Sequence, residues 1–340
     1  MPAEIRFGVI GCGVIAYWTH LRELKRLSGV RLIAAADPDS AARARASSLA
    51  GIATHADAAE LLARPDIDAV VICAPTHLHA DLAIAAARAG KHVYIEKPVA
   101  TCAADAIRLA EALRDTDVRI AVGFNRRCHP MFEQARALIA SGALGEIRTV
   151  FSTFNEPLSG DAMPAWKRAR ATGGGVLLDL GSHHADLLRW FLESEPERIE
   201  AQIHSRQTEH DEAWMRIAME NGVVVQSYFS FRAARADFLE FIGERGAMRV
   251  DRHEPKLSLK LARRFGYGVR TAPVLPSRES LAWRLRRIAS PSYESSYRMA
   301  LADFAGAIRG GRLRGAGLRD GVRSLEIVLG AEEASRASCS

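Results

Sequence analysis

The sequence predicts an α/β protein of two domains, the first built on a doubly wound parallel sheet and the second on a large, mostly antiparallel open sheet. Up to residue 123, short apolar strands alternate with helical patterns, as in parallel sheets that carry helices on both faces. From about residue 198 apolar and polar residues alternate instead, and Asn221-Gly222 is a strong signal for a two-residue hairpin. The 340 residues suffice for two cores, so we predict domains at 1–123 and 124–340.

The composition is that of an ordinary globular protein, and it narrows the classes of partner. The net charge of +6 is too modest to indicate nucleic acid, whereas it fits an anionic cofactor. No apolar run approaches the roughly 18 residues of a membrane span, and the opening residues lead into a strand without a visible secretory signal. The five cysteines are scattered and form no Cys-x-x-Cys pair, which argues against a zinc site and for a reducing compartment. We therefore expect a cytoplasmic protein without a metal site.

A glycine turn joins the first strand to the first helix. The strand Ile5–Ile10 runs into the turn, and a helical pattern continues to about Leu27. Gly11 allows a tight turn, Gly13 lets the backbone approach a pyrophosphate, and Ala16 is small where helix and strand pack closely. This order predicts a dinucleotide site, in which free N–H groups at the helix start face the phosphates. The residues predicted to bind the cofactor here are Gly11, Cys12, Gly13, Val14 and Ile15.

An acid ends the second predicted strand. The strand Arg31–Ala36 runs into Asp37, whose carboxylate can accept hydrogen bonds from the adenosine ribose and would repel a 2′-phosphate. NAD is therefore favoured over NADP as the cofactor. Asp37 could equally cap the helix that follows, and Arg43 and Arg45 keep NADP open as the less favoured cofactor.

A lysine ends the strand Val93–Ile95, in the stretch Glu96-Lys97-Pro98. An ammonium group is costly to bury without a partner. Open α/β sheets bind ligands outside the carboxyl ends of their strands, so Lys97 would lie at the mouth of that crevice. The strand Ala69–Cys73 ends at the same edge and leads through Pro75 and Thr76 to His79. Lys97 could instead be a surface lysine, and His79 could be a helix-start residue without a chemical role.

The remaining elements follow from periodicity and turn signals. The predicted helices span 39–50, 56–63, 79–89, 102–114, 130–140, 176–190, 277–289, 292–309 and 317–336. The other predicted strands span 119–122, 147–155, 198–206, 213–220, 223–231, 236–243, 247–251 and 256–262. The helix 176–190 would cover one face of the second sheet, and its open face is predicted to form a homodimer or homotetramer. The stretch 263–291 is rich in arginine, which is typical of a charged surface helix and leaves an anionic lipid or polyanion partner open.

The long polar loop 156–172 precedes a glycine run and that helix. Loops of this kind usually shape binding sites, so Trp166 and Lys167 are candidate substrate residues. Arg168 and Arg170 mildly favour an acidic or phosphorylated sugar, although a solvated surface loop is the commoner explanation of such a run of arginines.

Asp179 and His183 are four residues apart on the predicted helix and therefore share a face. We predict an acid/base pair, in which the aspartate orients and polarises the histidine. A structural pair is the alternative. The two acids and two histidines of this helix cannot all point at one ion, so no metal is predicted.

Together these motifs resemble the glucose–fructose oxidoreductase/inositol dehydrogenase (Gfo/Idh/MocA) family over essentially the whole chain. The resemblance rests on the glycine turn, Asp37, the loop 74–79, the segment 90–98 with Glu-Lys-Pro, and Gly173-Gly174-Gly175 leading to Asp179 and His183. It implies an NAD(P)-binding Rossmann domain at 1–123 and a substrate-binding and oligomerisation domain at 124–340. The implied activity is oxidation or reduction of a sugar, cyclitol or nucleotide sugar. An NAD-assisted glycosidase or a non-catalytic dinucleotide-binding regulator stays open.

The resemblance also implies roles for single residues. Lys97 would contact the reacting oxygen and the cofactor, and His183 would exchange the proton with support from Asp179. The cofactor's nicotinamide side would be lined by Pro75, Thr76, His79 and Glu96, and Arg127 reaches the same site.

Overall fold

The computed structural model describes residues 4–158, 163–254, 257–262, 269–289 and 294–338. Its strands are β1 (Ile5–Ile10), β2 (Val30–Ala36), β3 (Ala53–His55), β4 (Ala69–Ile72), β5 (His92–Ile95), β6 (Ile120–Val122), β7 (Ile147–Asn155), β8 (Pro196–His204), β9 (Glu212–Met219), β10 (Val224–Ser230), β11 (Ala236–Gly243), β12 (Gly246–Asp251), β13 (Ser258–Ala262) and β14 (Val269–Thr271). Its α-helices are α1 (Leu21–Arg26), α2 (Ser40–Ala50), α3 (Ala58–Leu62), α4 (His79–Arg88), α5 (Ala103–Ala112), α6 (Pro130–Ala140), α7 (Ser182–Leu192), α8 (Arg278–Ala289), α9 (Ser296–Ile308) and α10 (Leu318–Ala337).

The chain forms two compact units. The first consists of Met1–Cys128, Ala171–Gly173 and Ser295–Leu325, and the second of His129–Arg170, Gly174–Glu294 and Glu326–Ser340. A segment late in the chain therefore packs with the first unit. The division of cofactor and substrate functions at residue 123 stays a prediction.

The first unit is built on a parallel sheet, as predicted. Among the described residues, six strands lie in the order β3-β2-β1-β4-β5-β6, and every pair is parallel. The carboxyl ends of β1, β4 and β5 thus lie side by side at one edge. Parallel strands are covered on both faces, and β4 is accordingly buried throughout.

Helix α9 completes the core of the first unit. The ring of Phe304 lies 6.1 Å from that of Phe7 on β1 and 5.8 Å from that of Tyr94 on β5, measured between ring centroids. All three side chains are almost fully buried. Burying rings of this size stabilises the unit by about 2 kcal/mol each or more, which explains why this late helix joins the first sheet.

The second unit contains the predicted open, mostly antiparallel sheet. Eight described strands lie in the order β14-β13-β12-β11-β7-β10-β9-β8, and β7 with β10 is the parallel pair. Helix α7 covers one face, where Phe191 packs against Phe241 of β11 with ring centroids 4.9 Å apart. The opposite face carries the exposed side chains of β9, including Trp214 and Arg216. The predicted fold class is confirmed.

The structure differs from the sequence prediction in some short elements. The strands β3 and β14, of three residues each, were not predicted, and β8 lies two residues earlier than expected. Both α1 and α7 are preceded by a π-helical turn, at Ala16–His20 and Leu177–Gly181. Such turns often occur at functional sites.

Parts of two predicted features, at 159–162 in the long loop and at 263–268 and 290–293 in the arginine-rich stretch, lie outside the described residues. Within the described part of the chain, no helix combines the length and apolar character that a bilayer crossing requires.

Candidate functional site

Gly11 is required by two independent constraints at the end of β1. Its φ is +90°, in the left-handed region that favours glycine. A Cβ on Gly11 would lie 2.7 Å from the backbone of Cys73 and Ala74, at the end of β4. The Gly11 N–H also donates to the carbonyl of Ala36 at 2.8 Å, so three neighbouring strand ends meet at this turn.

Space around Gly13 is open in the described part of the chain. A Cβ built on Gly13 would meet no heavy atom of the described residues within 4 Å, apart from its chain neighbours, and the next residue, Val14, is 70% exposed. The upper side of the turn is therefore open. The backbone here can approach a pyrophosphate as closely as the predicted cofactor site requires.

Asp37 fastens the end of β2 to the glycine turn. Its Oδ2 accepts a hydrogen bond from the Cys12 N–H at 2.7 Å, and its Oδ1 accepts one from the Asp39 N–H at 2.8 Å. The cap of α2 is Asp39, whose side chain accepts from the Ala41 N–H, so the alternative capping role of Asp37 is wrong. Asp37 is half-buried, and its predicted contact with a ribose stays a prediction.

Two neighbours define the surroundings of Asp37. Arg43 donates to the Asp37 carbonyl oxygen at 2.7 Å. Burial and the nearby Asp37 charge raise the pKa of the Cys12 thiol to about 12, so the thiol is neutral. Cys12 thus contributes its backbone N–H and its buried volume to the turn.

Lys97 is half-buried at the end of β5, and its backbone is held by Glu96. The Glu96 Oε2 accepts from the Lys97 N–H at 3.2 Å, and Oε1 lies 2.6 Å from Nε2 of His20. Gly123 makes room for this carboxylate, because a Cβ there would lie 2.8 Å from Glu96 Oε2. Burial by itself would raise the pKa of Glu96, but the His20 hydrogen bond and the charges of His20 and Lys97 lower it. Glu96 is therefore a buried, ionised carboxylate.

His79 connects the end of β4 with the segment after Lys97. Its Nδ1 lies 2.7 Å from the Pro98 carbonyl oxygen and its Nε2 lies 2.8 Å from the Ala74 carbonyl oxygen. Burial lowers the pKa of His79, and the two carbonyl contacts oppose that shift. Both ring nitrogens face backbone oxygens, which favours a positioning role over direct contact with a cofactor.

The other predicted cofactor residues lie in the same unit. Thr76 is buried beneath Gly173, where a Cβ would lie 2.6 Å from Thr76 Cβ. Pro75 precedes Thr76 and is half-buried. Arg127 is buried and forms an ion pair with Asp320 at 3.0 Å.

In the second unit, Lys167 and Asp179 form a close ion pair. Lys167 Nζ donates to Asp179 Oδ2 at 2.6 Å, and the ammonium also lies 5.4 Å from the centroid of the Trp166 ring. Three of the predicted substrate residues, Trp166, Lys167 and Asp179, are thus neighbours. His183 is buried on α7, with its ring 6.2 Å from that of Phe154.

His184, next to His183, is the centre of a fully buried polar network. Its Nδ1 lies 2.6 Å from Ser152 Oγ on β7, and its Nε2 donates to Asp237 Oδ1 on β11 at 3.1 Å. The ring stacks on Phe154 at 5.5 Å. Arg252 lies 3.8 Å from the other oxygen of Asp237. This network ties α7 to two strands of the sheet beneath it.

Sequence reasoning did not identify three of these relations: His20 with Glu96, His184 with Asp237, and Lys167 with Asp179. The first two join residues 76 and 53 positions apart, and no local spacing signals such a pair. Lys167 lies twelve positions before Asp179, across a loop whose path the sequence leaves open.

A dinucleotide cradle on a parallel sheet, followed by a second unit with an open sheet, defines a two-domain oxidoreductase of the Rossmann class. Residues 5–124 match the family model described as "Oxidoreductase family, NAD-binding Rossmann fold", and residues 132–249 match the GFO/IDH/MocA C-terminal domain. The chain belongs to the Gfo/Idh/MocA family, and the first unit carries its NAD-binding domain. The resemblance seen in the motifs is confirmed.

Three comparisons illustrate the relationship. The chain is 37% identical to inositol 2-dehydrogenase of Rhizobium meliloti over 198 residues, which span 58% of each protein. It is 30% identical to inositol 2-dehydrogenase 2 of Saccharopolyspora erythraea over 335 residues, or 95% of this chain and 91% of that protein. Its fold is similar to that of the WlbA dehydrogenase of Bordetella pertussis, with a TM-score of 0.86 at 22% identity, covering 99% of this chain and 97% of that one.

Proposed function

We propose that this protein is an NAD-dependent dehydrogenase or reductase that transfers a hydride between nicotinamide and a hydroxyl or keto carbon of a cyclitol, sugar or nucleotide sugar. One observation carries the proposal. In the first sheet the glycine turn, the Pro75–Thr76 turn and Lys97 follow three adjacent strands, β1, β4 and β5, at the same edge. The Lys97 backbone therefore lies at the same edge of the sheet as the glycine turn, where a dinucleotide would bind.

The residues of the first unit fit NAD. The backbone of the glycine turn, from Gly11 to Ile15, would hold the pyrophosphate, because its upper side is open at Gly13. The Asp37 carboxylate would accept from the ribose hydroxyls, which favours NAD over NADP. When bound, NAD supplies the hydride acceptor or donor for the reaction.

The protein's own groups handle the charge and the proton. The Lys97 ammonium donates to the reacting oxygen and stabilises the negative charge that develops on it during oxidation. His183 accepts the hydroxyl proton in oxidation and returns it in reduction, which typically accelerates such a step about 10²–10⁴-fold. Asp179 supports His183 from the same face of the helix.

The relatives favour a polyol as the substrate. Two of them are inositol 2-dehydrogenases, one of which matches nearly the whole chain. The sequence suggested that the loop arginines bind an acidic sugar. Arg170 instead pairs with Glu332, at 2.5 and 2.9 Å, which weakens that argument. We therefore propose a neutral cyclitol or sugar first and a nucleotide sugar second.

The test follows absorbance at 340 nm with NAD and NADP over a panel of inositols, sugars and nucleotide sugars. We expect net NADH formation with at least one polyol. Lys97→Met should lower kcat at least about 100-fold, while NAD binding measured by fluorescence titration is retained. Lys25→Met, which removes an exposed lysine of α1, is the matched control and should leave turnover unchanged.

Two outcomes would contradict this function. Release of an aglycone without net NADH would indicate a glycosidase that oxidises and re-reduces the sugar. NAD binding without turnover on any member of the panel would indicate a dinucleotide-binding regulator. Full activity of Lys97→Met would remove Lys97 from the mechanism.

We also propose a cytoplasmic location and self-association through the open face of the second sheet. The free cysteines of the described residues, of which Cys12, Cys73 and Cys128 are buried, suit a reducing compartment. The open sheet face supports a second copy of this chain as the macromolecular partner.

A further inference from the structure

Lys167 points at a carboxylate of its own chain. Its ammonium lies 2.6 Å from Asp179 Oδ2, and the two side chains are only 21% and 14% exposed. At this distance and exposure the pair is screened less than a surface ion pair, and the ammonium strongly favours the ionised form of the carboxylate.

The loop that carries Lys167 is fastened at Arg170, three residues further along the chain. Arg170 donates through Nε and Nη2 to the buried carboxylate of Glu332 on α10, and its N–H donates to Glu209 at 2.5 Å. Burial by itself would raise the pKa of Glu332, but the Arg170 hydrogen bonds and the nearby His210 ring lower it, so the anchor is ionised. The loop therefore presents Lys167 from a fixed backbone.

Gly174 lets this loop lie directly on the start of the helix. A Cβ on Gly174 would lie 2.3 Å from the Lys167 carbonyl oxygen and 2.7 Å from that of Ala169. The Gly174 N–H donates to the Ala169 carbonyl at 2.9 Å. Any larger residue would displace the loop, and Lys167 with it.

Asp179 lies in the π-helical turn that leads into α7, four residues before His183. Residues four apart on a helix share a face, so the carboxylate that Lys167 contacts lies on the same face as the imidazole of His183. Resting on the proposed function, we infer that Lys167 is a positioning residue that holds Asp179 ionised and aimed, and thereby sets the proton affinity of His183, rather than a substrate contact.

The second unit carries other titratable groups on α7 and beside the glycine run. On α7 itself, His184 contacts Ser152 and Asp237, and Asp186 is a buried carboxylate three residues after His183. Beside the glycine run, His210 lies 3.6 Å from Glu332, which Arg170 binds. A substitution at Lys167 leaves these charged groups unchanged, so a shift in the pH profile can be assigned to Lys167.

The sign of the effect follows from the charges. With Lys167 present, the negative charge of Asp179 is partly compensated. Removing the ammonium takes away that compensating charge, so the Asp179 carboxylate favours the imidazolium more strongly and the pKa of His183 rises. In the oxidation direction His183 must be neutral, so the acid limb of the kcat/KM profile should move to higher pH by about one unit in Lys167→Met.

The variants separate charge from packing. Lys167→Arg keeps the positive charge, so the acid limb of its kcat/KM profile should lie within about 0.3 pH units of the wild-type position. Lys260→Met removes an exposed lysine of β13 in the same unit and should leave the profile unchanged. A purely structural role for Lys167 would lower activity equally at all pH values.

An NMR titration of the histidine ring carbons makes the test independent of turnover. The His183 signal is assigned from its loss in His183→Gln, and its pKa is compared in wild type and Lys167→Met. A rise of about one unit supports the inference even if no polyol is turned over. An unmoved titration in a folded variant overturns it, and so does a raised substrate KM with the limb unmoved, which would make Lys167 a substrate contact.

Discussion

At the scale of single residues, Glu96 shows how a charged group is kept inside the first unit. A buried carboxylate is costly unless hydrogen bonds and nearby positive charge stabilise its ionised form. Glu96 has His20 on one oxygen and the Lys97 N–H on the other. Its depressed pKa indicates that these partners outweigh the cost of burial. The residue that precedes the proposed catalytic lysine thus acts as its backbone support.

Glu96→Gln should destabilise the protein by roughly 1.5–3 kcal/mol at pH 7, because an amide satisfies only one of the two donors. The folded pKa of Glu96 lies below its ordinary value of 4.5. Its stabilising contribution is therefore present above that value and is lost as pH falls through the folded pKa. Urea unfolding of wild type and variant between pH 7 and 3.5 measures the difference.

We expect the difference in the free energy of unfolding between wild type and Glu96→Gln to shrink as the pH falls below 4.5. Glu220→Gln, which changes an exposed carboxyl group, is the control for general acid effects. An equal difference in the free energy of unfolding at pH 7 and pH 3.5 would show that Glu96 is already protonated in the folded protein at pH 7.

At the scale of elements, α7 presents two adjacent histidines to different surroundings. Successive residues on a helix are about 100° apart, so His183 and His184 cannot share a direction. His184 is buried on the sheet, between Ser152 and Asp237. This contact fixes the rotation of the helix about its axis, and with it the direction of His183 and Asp179.

Asp237→Leu should destabilise the protein by about 3–5 kcal/mol, because it leaves His184 and Arg252 without their buried carboxylate. Adding His184→Phe to Asp237→Leu should recover part of that loss, since two apolar side chains then face each other. Chemical unfolding of the two single variants and the double variant measures the coupling.

Asp81→Leu removes a carboxylate of an exposed ion pair, with Arg108 at 2.7 Å, and should cost less than about 1 kcal/mol. If Asp237→Leu costs no more than this control, the buried network does not hold α7 in place.

At the scale of the whole molecule, one face of the second sheet carries exposed side chains within the described part of the chain. Trp214 is 54% exposed and Phe151 37% exposed, and the Trp214 ring lies 4.3 Å from that of Tyr228. Arg216 and Glu200 lie 3.2 Å apart beside them. A patch that carries aromatic rings and both signs of charge suits a two-fold interface, in which each surface meets its own copy.

Trp214→Glu should therefore shift the protein toward the monomer, with association weakened roughly thirtyfold or more, the usual effect of truncating a central tryptophan. Sedimentation velocity over a range of protein concentrations measures the shift. Leu285→Glu, at a 58% exposed leucine of α8, is the matched control and should leave the oligomer intact. A wild-type protein that stays monomeric at about 10 µM, well above the affinity of a typical specific interface, would contradict the proposal.

Much of the fold was predictable because the period of the apolar residues is a local property of the chain. The strand Ile5–Ile10 was predicted with its observed bounds, and α6 was as well. The strands β3 and β14 were missed because three residues are too short for a period to show, and neither has the all-apolar run that revealed β6. The contact of α9 with Phe7 was also unpredictable, since nothing in its sequence says which core it joins.

By itself the sequence determined the order of the longer elements, the glycine turn, and the acid and the lysine that follow β2 and β5. These features depend on residues within one turn or one strand of each other. The tertiary structure alone decided which partner each charged group has: His20 for Glu96, Lys167 for Asp179, and Asp237 for His184. The reason is physical, because a buried charge is stabilised by whatever donor the packed chain brings to it, and that donor can lie at any distance along the sequence.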